Sequence, residues 1–314
     1  MKLEKIGLIV LCFAFVVFSC QNDDGGNNFT EEEIRDRAEQ QALDIVTLED
    51  YLKTHYYNKS SFEGNNDPKI ADLQIKSTEG LSISENADSL LINAVGAPKT
   101  SPFADITYEY YVLTLNEGGS NKSPSIADNV VINYEGFLLD NRVFDSAITP
   151  VNFDLTNLIV GWGKVLSLFN TSGSGPMENG DGTFSYSNNG VGVMFLPSGL
   201  AYFNAPPAGI IEPYTPIAFK FELFDTSEND HDNDGIPSYK EDLNNNGFVR
   251  DDNTDEDLDP RTGIPIYNYL DSDDDGDGVP TANEDIDGDG DPTNDIGKNG
   301  KPKYLDPEET ESNV

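Results

Sequence analysis

Beyond residue 129 the chain alternates between apolar and polar positions. Val130, Ile132 and Tyr134 share one face of an extended segment, and Val131, Asn133 and Glu135 the other. The segment passes through Gly136 and a turn at Asp140-Asn141 into a second strand, Arg142-Val143-Phe144-Asp145. After Pro150 come Phe153 and Leu155, then an apolar turn, Leu158-Ile159-Val160-Gly161-Trp162, which holds the only tryptophan. Aromatic and branched residues at these intervals suit the lining of one concave apolar pocket. Residues 156–169 read as a short helix with Trp162 and Leu166 inward. Val191, Val193 and Phe195 alternate again, and Ile217, Phe219, Phe221 and Leu223 close the sheet, with Lys220 and Glu222 outward. Upstream, residues 106–115 form a long aromatic-rich strand ended by Glu117-Gly118-Gly119. The pattern predicts an α+β fold, an antiparallel sheet wrapped on one short helix.

The N-terminal part has a different period. Ile34, Ala38, Ala42, Ile45, Leu48, Leu52 and Tyr56 recur at helical spacing and form one apolar stripe. Thr30 is placed to cap this helix, Glu33 to complete a capping box, and Phe29 to staple onto Ile34. The stripe is short for a coiled coil, so packing on the sheet is favoured over a dimerisation arm. Asn65-Asn66-Asp67-Pro68 is a turn, residues 73–75 and 81–83 are candidate short strands, and residues 97–102 read as a linker or turn. Residues 170–189 are rich in Gly, Ser and Asn, and predict a mobile surface loop near the pocket mouth.

Composition narrows the function. A net charge of -38 on 314 residues, with only 19 Lys and Arg, argues against nucleic acid and suits divalent cations. Two cysteines make a disulfide framework implausible. Lys2 and Lys5 precede an apolar run of secretory length at residues 6–18, and Val17-Phe18-Ser19-Cys20 resembles a bacterial lipobox. Cys12 would leave with the signal, while Cys20 would carry the acyl chains that hold the protein on a lipid membrane. Gln21 after that cysteine favours the outer membrane of a bacterial envelope, on its periplasmic or surface face. Residues 20–28 are a polar tether.

From residue 229 onward there are 26 Asp and Glu against six Lys and Arg. Their spacing is regular. Asp230, Asp232 and Asp234, then Gly235, Ile236 and Glu241, fit a twelve-residue calcium loop with ligands at positions 1, 3, 5, 7 and 12. Asp273, Asp275 and Asp277, then Gly278, Val279 and Glu284, repeat it, and Pro237 and Pro280 follow at one offset. Asp242, Asn244 and Asn246 before Gly247, and Asp285, Asp287 and Asp289 before Gly290, are weaker copies without the twelfth acid. No EF-hand helices flank these loops, and the run resembles thrombospondin type 3 repeats, in which metal replaces a hydrophobic core. The alternative is a solvated acidic linker. Calcium affinity of the extracellular kind, on the order of 0.1–1 mM, is expected. His55 and His231 form no zinc constellation.

Six fragments carry a second resemblance. Tyr134-Glu135-Gly136, Val143-Phe144-Asp145-Ser146, Ile159-Val160-Gly161-Trp162, residues 196–202, Gly209-Ile210-Ile211 and residues 218–223 resemble, in order, the FKBP-type peptidyl-prolyl isomerases. The resemblance implies Trp162 as pocket floor, walls of Tyr134, Phe144 and Phe219, and Leu158 and Ile159 at the side. It implies that the Ile159 amide binds a substrate carbonyl, that Asp145 orients Tyr134 or the twisted amide, and that Tyr202 and Ile211 overhang the site. No cofactor is implied for catalysis. Val151 stands where the family often has a pocket Phe, Phe203 where it has Gly, and Glu212 where Ile-Pro is usual. The expected organisation is a signal (1–19), a tether (20–28), a helical extension and linker (29–104), an isomerase domain (105–227) and acidic calcium repeats (228–314). The expected activity is isomerisation of X-Pro bonds in proline-containing polypeptides, assisting the folding of exported or envelope proteins. The alternative is a non-catalytic envelope scaffold with calcium-ordered repeats.

Overall fold

A computed structural model describes residues 34–81, 89–255 and 258–314. The expected signal, Cys20, the tether, the Phe29, Thr30 and Glu33 start signals, and Ser82-Ile83 lie outside the described residues. Every element below lies in one compact unit, Arg35–Val314.

Its centre is a six-stranded antiparallel sheet. The strands are β3 (Lys99–Phe103), β4 (Ile106–Glu117), β5 (Asn129–Leu138), β6 (Val143–Asp154), β9 (Gly190–Leu196) and β10 (Ile217–Ser227), in the spatial order β3-β4-β9-β10-β5-β6. On β5 Val130, Ile132 and Tyr134 are buried while Asn129, Val131, Asn133 and Glu135 are half-buried, as the alternation requires. Strand β9 is buried along its whole length, because it is central and both its faces are covered. Met194 and Leu196 join one core with Tyr134, Trp162, Phe219 and Phe221, whereas Val193 and Phe195 join a second core on the opposite face. The 97–102 linker is not observed. Residues 99–103 pair with β4 through a two-residue turn, Ala104-Asp105, whose positive φ values of 48° and 64° match the twist of a hairpin.

The short helix α3 (Val160–Leu166) lies on the first core, after a 3-10 turn at Leu155–Asn157. The second core is covered by α1 (Arg37–Thr54), α2 (Leu91–Val95) and the small sheet of β1 (His55–Tyr57) and β2 (Ile75–Ser77). Helix α1 begins at an Asp36 cap, whose carboxylate accepts from the Glu39 N–H at 2.9 Å. Its buried stripe also differs from expectation. Leu48, Tyr51 and Leu52 are inside, but the first half buries Gln40, Gln41 and Asp44, while Ala38, Ala42 and Ile34 are exposed. The reason is polar docking. Asp44 accepts from the Ser198 N–H (2.7 Å) and hydroxyl (2.6 Å), and from Gln40 (2.6 Å).

Two further expectations change. Residues 170–189 are largely a hairpin, β7 (Ser174–Glu178) with β8 (Phe184–Ser187). Glu222 is buried, because residues 70–72 cap its strand and the Ile70 N–H donates to its carboxylate at 2.8 Å. Beyond β10 the described chain holds six short 3-10 turns and no strand or α-helix. Its buried apolar side chains are few, Ile236, Val249, Tyr269 and Tyr304, and much of its interior is carboxylate.

Candidate functional site

A cleft of about 450 Å³ opens on the α3 face of the sheet. Trp162, on the first turn of α3, lies at its base with only 4% of its surface exposed. Gly161 lets this turn approach the sheet, since a Cβ there would sit 2.4 Å from Leu196 Cδ1. Phe219 packs 4.8 Å from the indole, Tyr134 meets it edge-on at 5.8 Å, and Phe153 closes on Tyr134 at 5.8 Å. Leu158, Ile159, Asn157, Asp145 and Tyr202 complete the lining. The Ile159 N–H heads α3, where amide protons lack intrahelical partners.

One polar pair marks the cleft. The Tyr134 hydroxyl donates to Asp145 Oδ2 at 2.6 Å, and the Ser146 N–H holds the other carboxylate oxygen at 2.9 Å. Burial, then the Asp145 carboxylate, raises the Tyr134 pKa, so the phenol stays protonated at physiological pH. Burial first and Asp145 second raise Tyr202 as well.

Seven expected residues therefore meet here: Tyr134, Asp145, Leu158, Ile159, Trp162, Tyr202 and Phe219. Phe144 and Ile211 do not line the cleft. Phe144 lies over Gly136 and edge-on to Phe219 at 5.3 Å, so it backs the Phe219 wall. Ile211 is buried in the core cluster. Asn157 was absent from the expected set, and Phe153, which the apolar pattern places with the pocket-lining residues, carried no expected site role. Phe153 was legible as an aromatic two residues after Val151 on the same strand face; Asn157 carried no sequence signal. The 174–187 hairpin contributes nothing to the lining.

The second set of candidates lies in the tail. In all four loops the sixth-position glycine has positive φ, between 74° and 100°, and its N–H donates to the first-position Asp. Carboxylate oxygens of Asp230, Asp232 and Asp234 converge within 4.8 Å, as do those of Asp273, Asp275 and Asp277, and of Asp285, Asp287 and Asp289. In the second loop the Asn246 N–H donates to both Asp242 and Asn244. The seventh-position Ile236 and Val279 donate their N–H groups to Asp234 and Asp277. Glu241 and Glu284 are fully buried, and neither carboxylate has a hydrogen-bond partner on either oxygen.

Asp274 was missed by the spacing argument, because position 2 is not a ligand position in one loop. The fold brings it from the second full repeat to Asp234 and Glu241 of the first, within 4.8 Å. Burial, then the neighbouring acids, pushes Glu241 up to about 10. Burial also pushes Asp274 up to about 9 and Glu284 up to about 8. Buried, unpartnered carboxylates this close fit a bound divalent cation.

No family model matches the chain. Curated relatives do. The peptidyl-prolyl cis-trans isomerase Mip of Coxiella burnetii (strain RSA 493 / Nine Mile phase I) is 30% identical over 118 residues, 37% of this chain and 43% of that protein. The FKBP-type peptidyl-prolyl cis-trans isomerase FkpA of Escherichia coli (strain K12) is 32% identical over 112 residues, 35% of each chain. The outer membrane protein MIP of Legionella longbeachae is 30% identical over 110 residues, 34% of this chain and 40% of that one. The chain thus spans less than half the length of these relatives. Over about a third of its own length, it is similar to FKBP-type peptidyl-prolyl cis-trans isomerases.

Proposed function

We propose that the protein is a prolyl isomerase of the cell envelope whose acidic tail binds calcium. The observation that carries the first part is the cleft itself, an aromatic hollow with Trp162 at its base and a single polar pair beside it. Rotation about an X-Pro bond meets a barrier of about 18–20 kcal/mol, because amide resonance holds the planar form. A site lowers it by binding the twisted amide better than the planar one. Removing water disfavours the charge-separated planar amide, and the proline ring fits against Trp162, Tyr134, Phe153 and Phe219. The Ile159 N–H is placed for a substrate carbonyl. Tyr134, kept protonated, and Asp145 fix the polar wall. No side chain is required to form or break a covalent bond.

In the tail, Asp230, Asp232, Asp234, Glu241 and Asp274 would hold one group of cations, and Asp273, Asp275, Asp277 and Glu284 another. Asp285, Asp287 and Asp289, and Asp242, Asn244 and Asn246, provide weaker loops. Calcium would neutralise carboxylates that otherwise repel one another. The unpartnered oxygens of Glu241 and Glu284 support this reading. An envelope address is supported by similarity to a relative named as an outer membrane protein, lipidation at Cys20 would supply its anchor, and proline-containing segments of exported proteins are the substrates proposed.

The test is exchange spectroscopy on a Phe-Pro peptide, with calcium binding followed in parallel by calorimetry. Acceleration of cis-trans exchange by the full chain is expected. An uncatalysed rate at saturating peptide would end the enzyme reading.

A further inference from the structure

The cleft and the tail are not independent. The segment that carries Asn157, Leu158, Ile159 and Trp162 is held on its outer side by tail residues, and each of these belongs to a calcium-type loop. His231, the second residue of the first loop, brings Nε2 within 3.1 Å of Asp154 Oδ2 and Nδ1 within 2.7 Å of Ser238 Oγ in its own loop. Asp154 in turn caps the 3-10 turn below the cleft. It accepts from the Thr156 N–H at 2.9 Å and from Asn157 Nδ2 at 2.7 Å. Arg250 of the second loop donates to Asn157 Oδ1 at 3.2 Å and to the Tyr269 hydroxyl at 3.0 Å. Lys164, two residues after Trp162, is buried and donates to the Asn246 carbonyl, also in the second loop. Gly247 makes that approach possible, since a Cβ there would lie 2.3 Å from Lys164 Nζ.

The seam is also packed. Leu155, Leu158 and Val160 face Phe248 and Val249 across a residual space of only about 20 Å³. Ala127, Val249 and Tyr269 form their own small core. A loop that opens under carboxylate repulsion would carry His231, Asn246 and Arg250 away from their partners together.

We propose that the acidic tail is a splint for the cleft: cation loading of its loops fixes residues 154–164, and so sets the position of Trp162 and the Ile159 amide. Lys164, His231 and Arg250 are then positioning residues. The inference rests on the calcium reading of the tail, and the experiment separates the two.

The probe is calcium alone, added to the full chain. Calorimetry reads binding, and emission and acrylamide quenching of the sole tryptophan read the cleft. Chelation is expected to shift the emission of Trp162 to the red and raise its quenching constant about threefold, the signature of a buried ring gaining water. Re-addition of calcium reverses both. Lys164→Met keeps the buried methylenes and all loop carboxylates but removes the donor to the Asn246 carbonyl, together with a longer bond to the Pro102 carbonyl at 3.4 Å. It should retain calcium binding by the Asp230 and Asp273 loops, lose at least half of the Trp162 response, and lower kcat/KM about tenfold, the scale of one lost hydrogen bond from a charged donor. A full calcium isotherm with unchanged Trp162 quenching overturns the splint. Absence of calcium binding overturns the calcium reading, and the splint with it. A calcium-dependent Trp162 response without turnover supports the splint and removes only the isomerase reading.

Discussion

Tyr134 joins the two halves of the cleft, touching Trp162, Phe153 and Phe219 with its ring and Asp145 with its hydroxyl. Tyr134→Phe keeps the ring and removes the donor. Stability should change by about 1 kcal/mol or less, while kcat/KM for a Phe-Pro peptide falls several-fold; chemical melts and exchange spectroscopy measure the two. Gly161 makes the opposite case. Gly161→Ala places a methyl group against Leu196, which is fully buried and has no room to yield. The variant should lose about 1–3 kcal/mol, with loss of the native Trp162 emission on mild denaturant. The site residues legible in the sequence were those in short local motifs, where chain neighbours stay neighbours in space, as in Leu158, Ile159 and Trp162. Phe144 was expected as a wall of the pocket and instead backs the Phe219 wall. Bulges on the β5–β6 pairing, at Ile132/Tyr134 and Gly136/Phe137, shift the register, and no single strand reveals them.

At the scale of elements, α1 shows what a hydrophobic period leaves out. Its C-terminal half follows the apolar rule through Leu48 and Leu52, but its N-terminal half docks through Gln41, which donates to the Glu109 carbonyl, and Asp44, which accepts from Ser198. The acceptor of the Ser198 N–H and hydroxyl lies 154 residues away in sequence, so no local pattern encodes it. This contact anchors the segment that leads to Tyr202. Asp44→Ala strands both Ser198 donors in a buried site and should cost about 2–3 kcal/mol by denaturant titration. Strand β3 and the 174–187 hairpin were likewise read as linker and loop. Both are short, and glycine or proline interrupts the apolar alternation in each. The turns of the acidic loops were legible because each is a local device, a glycine N–H that meets the carboxylate five residues earlier, whereas Asp274 joins Asp234 and Glu241 only through the fold.

At the scale of the molecule, an antiparallel sheet and an acidic tail share one compact unit. The tail has little apolar interior and several buried carboxylates. Without calcium, Glu241, Asp274 and Glu284 carry folded pKa values of about 10, 9 and 8, all above those of the unfolded chain. The folded state then binds more protons than the unfolded one across this range, so stability falls as pH rises through it. Chelated protein should melt at lower temperature at about pH 8.5 than at about pH 5.5. On the proposed calcium reading, cation binding would hold the carboxylates ionised, so that trend should disappear, and affinity for the cation should rise with pH as fewer protons need to be displaced. Thermal scans at both pH values, with chelator and with calcium, check this.

The central claim is that a dry aromatic hollow turns a proline bond without a reactive group. The most direct measurement is kcat/KM for a Phe-Pro peptide on the calcium-loaded full chain, wild type and Trp162→Ala, between about pH 5.5 and 8.5. A flat profile for the wild type and a loss of about tenfold or more in the variant, with the fold retained, are expected. A bell-shaped profile, or a variant as active as the wild type, would contradict the account.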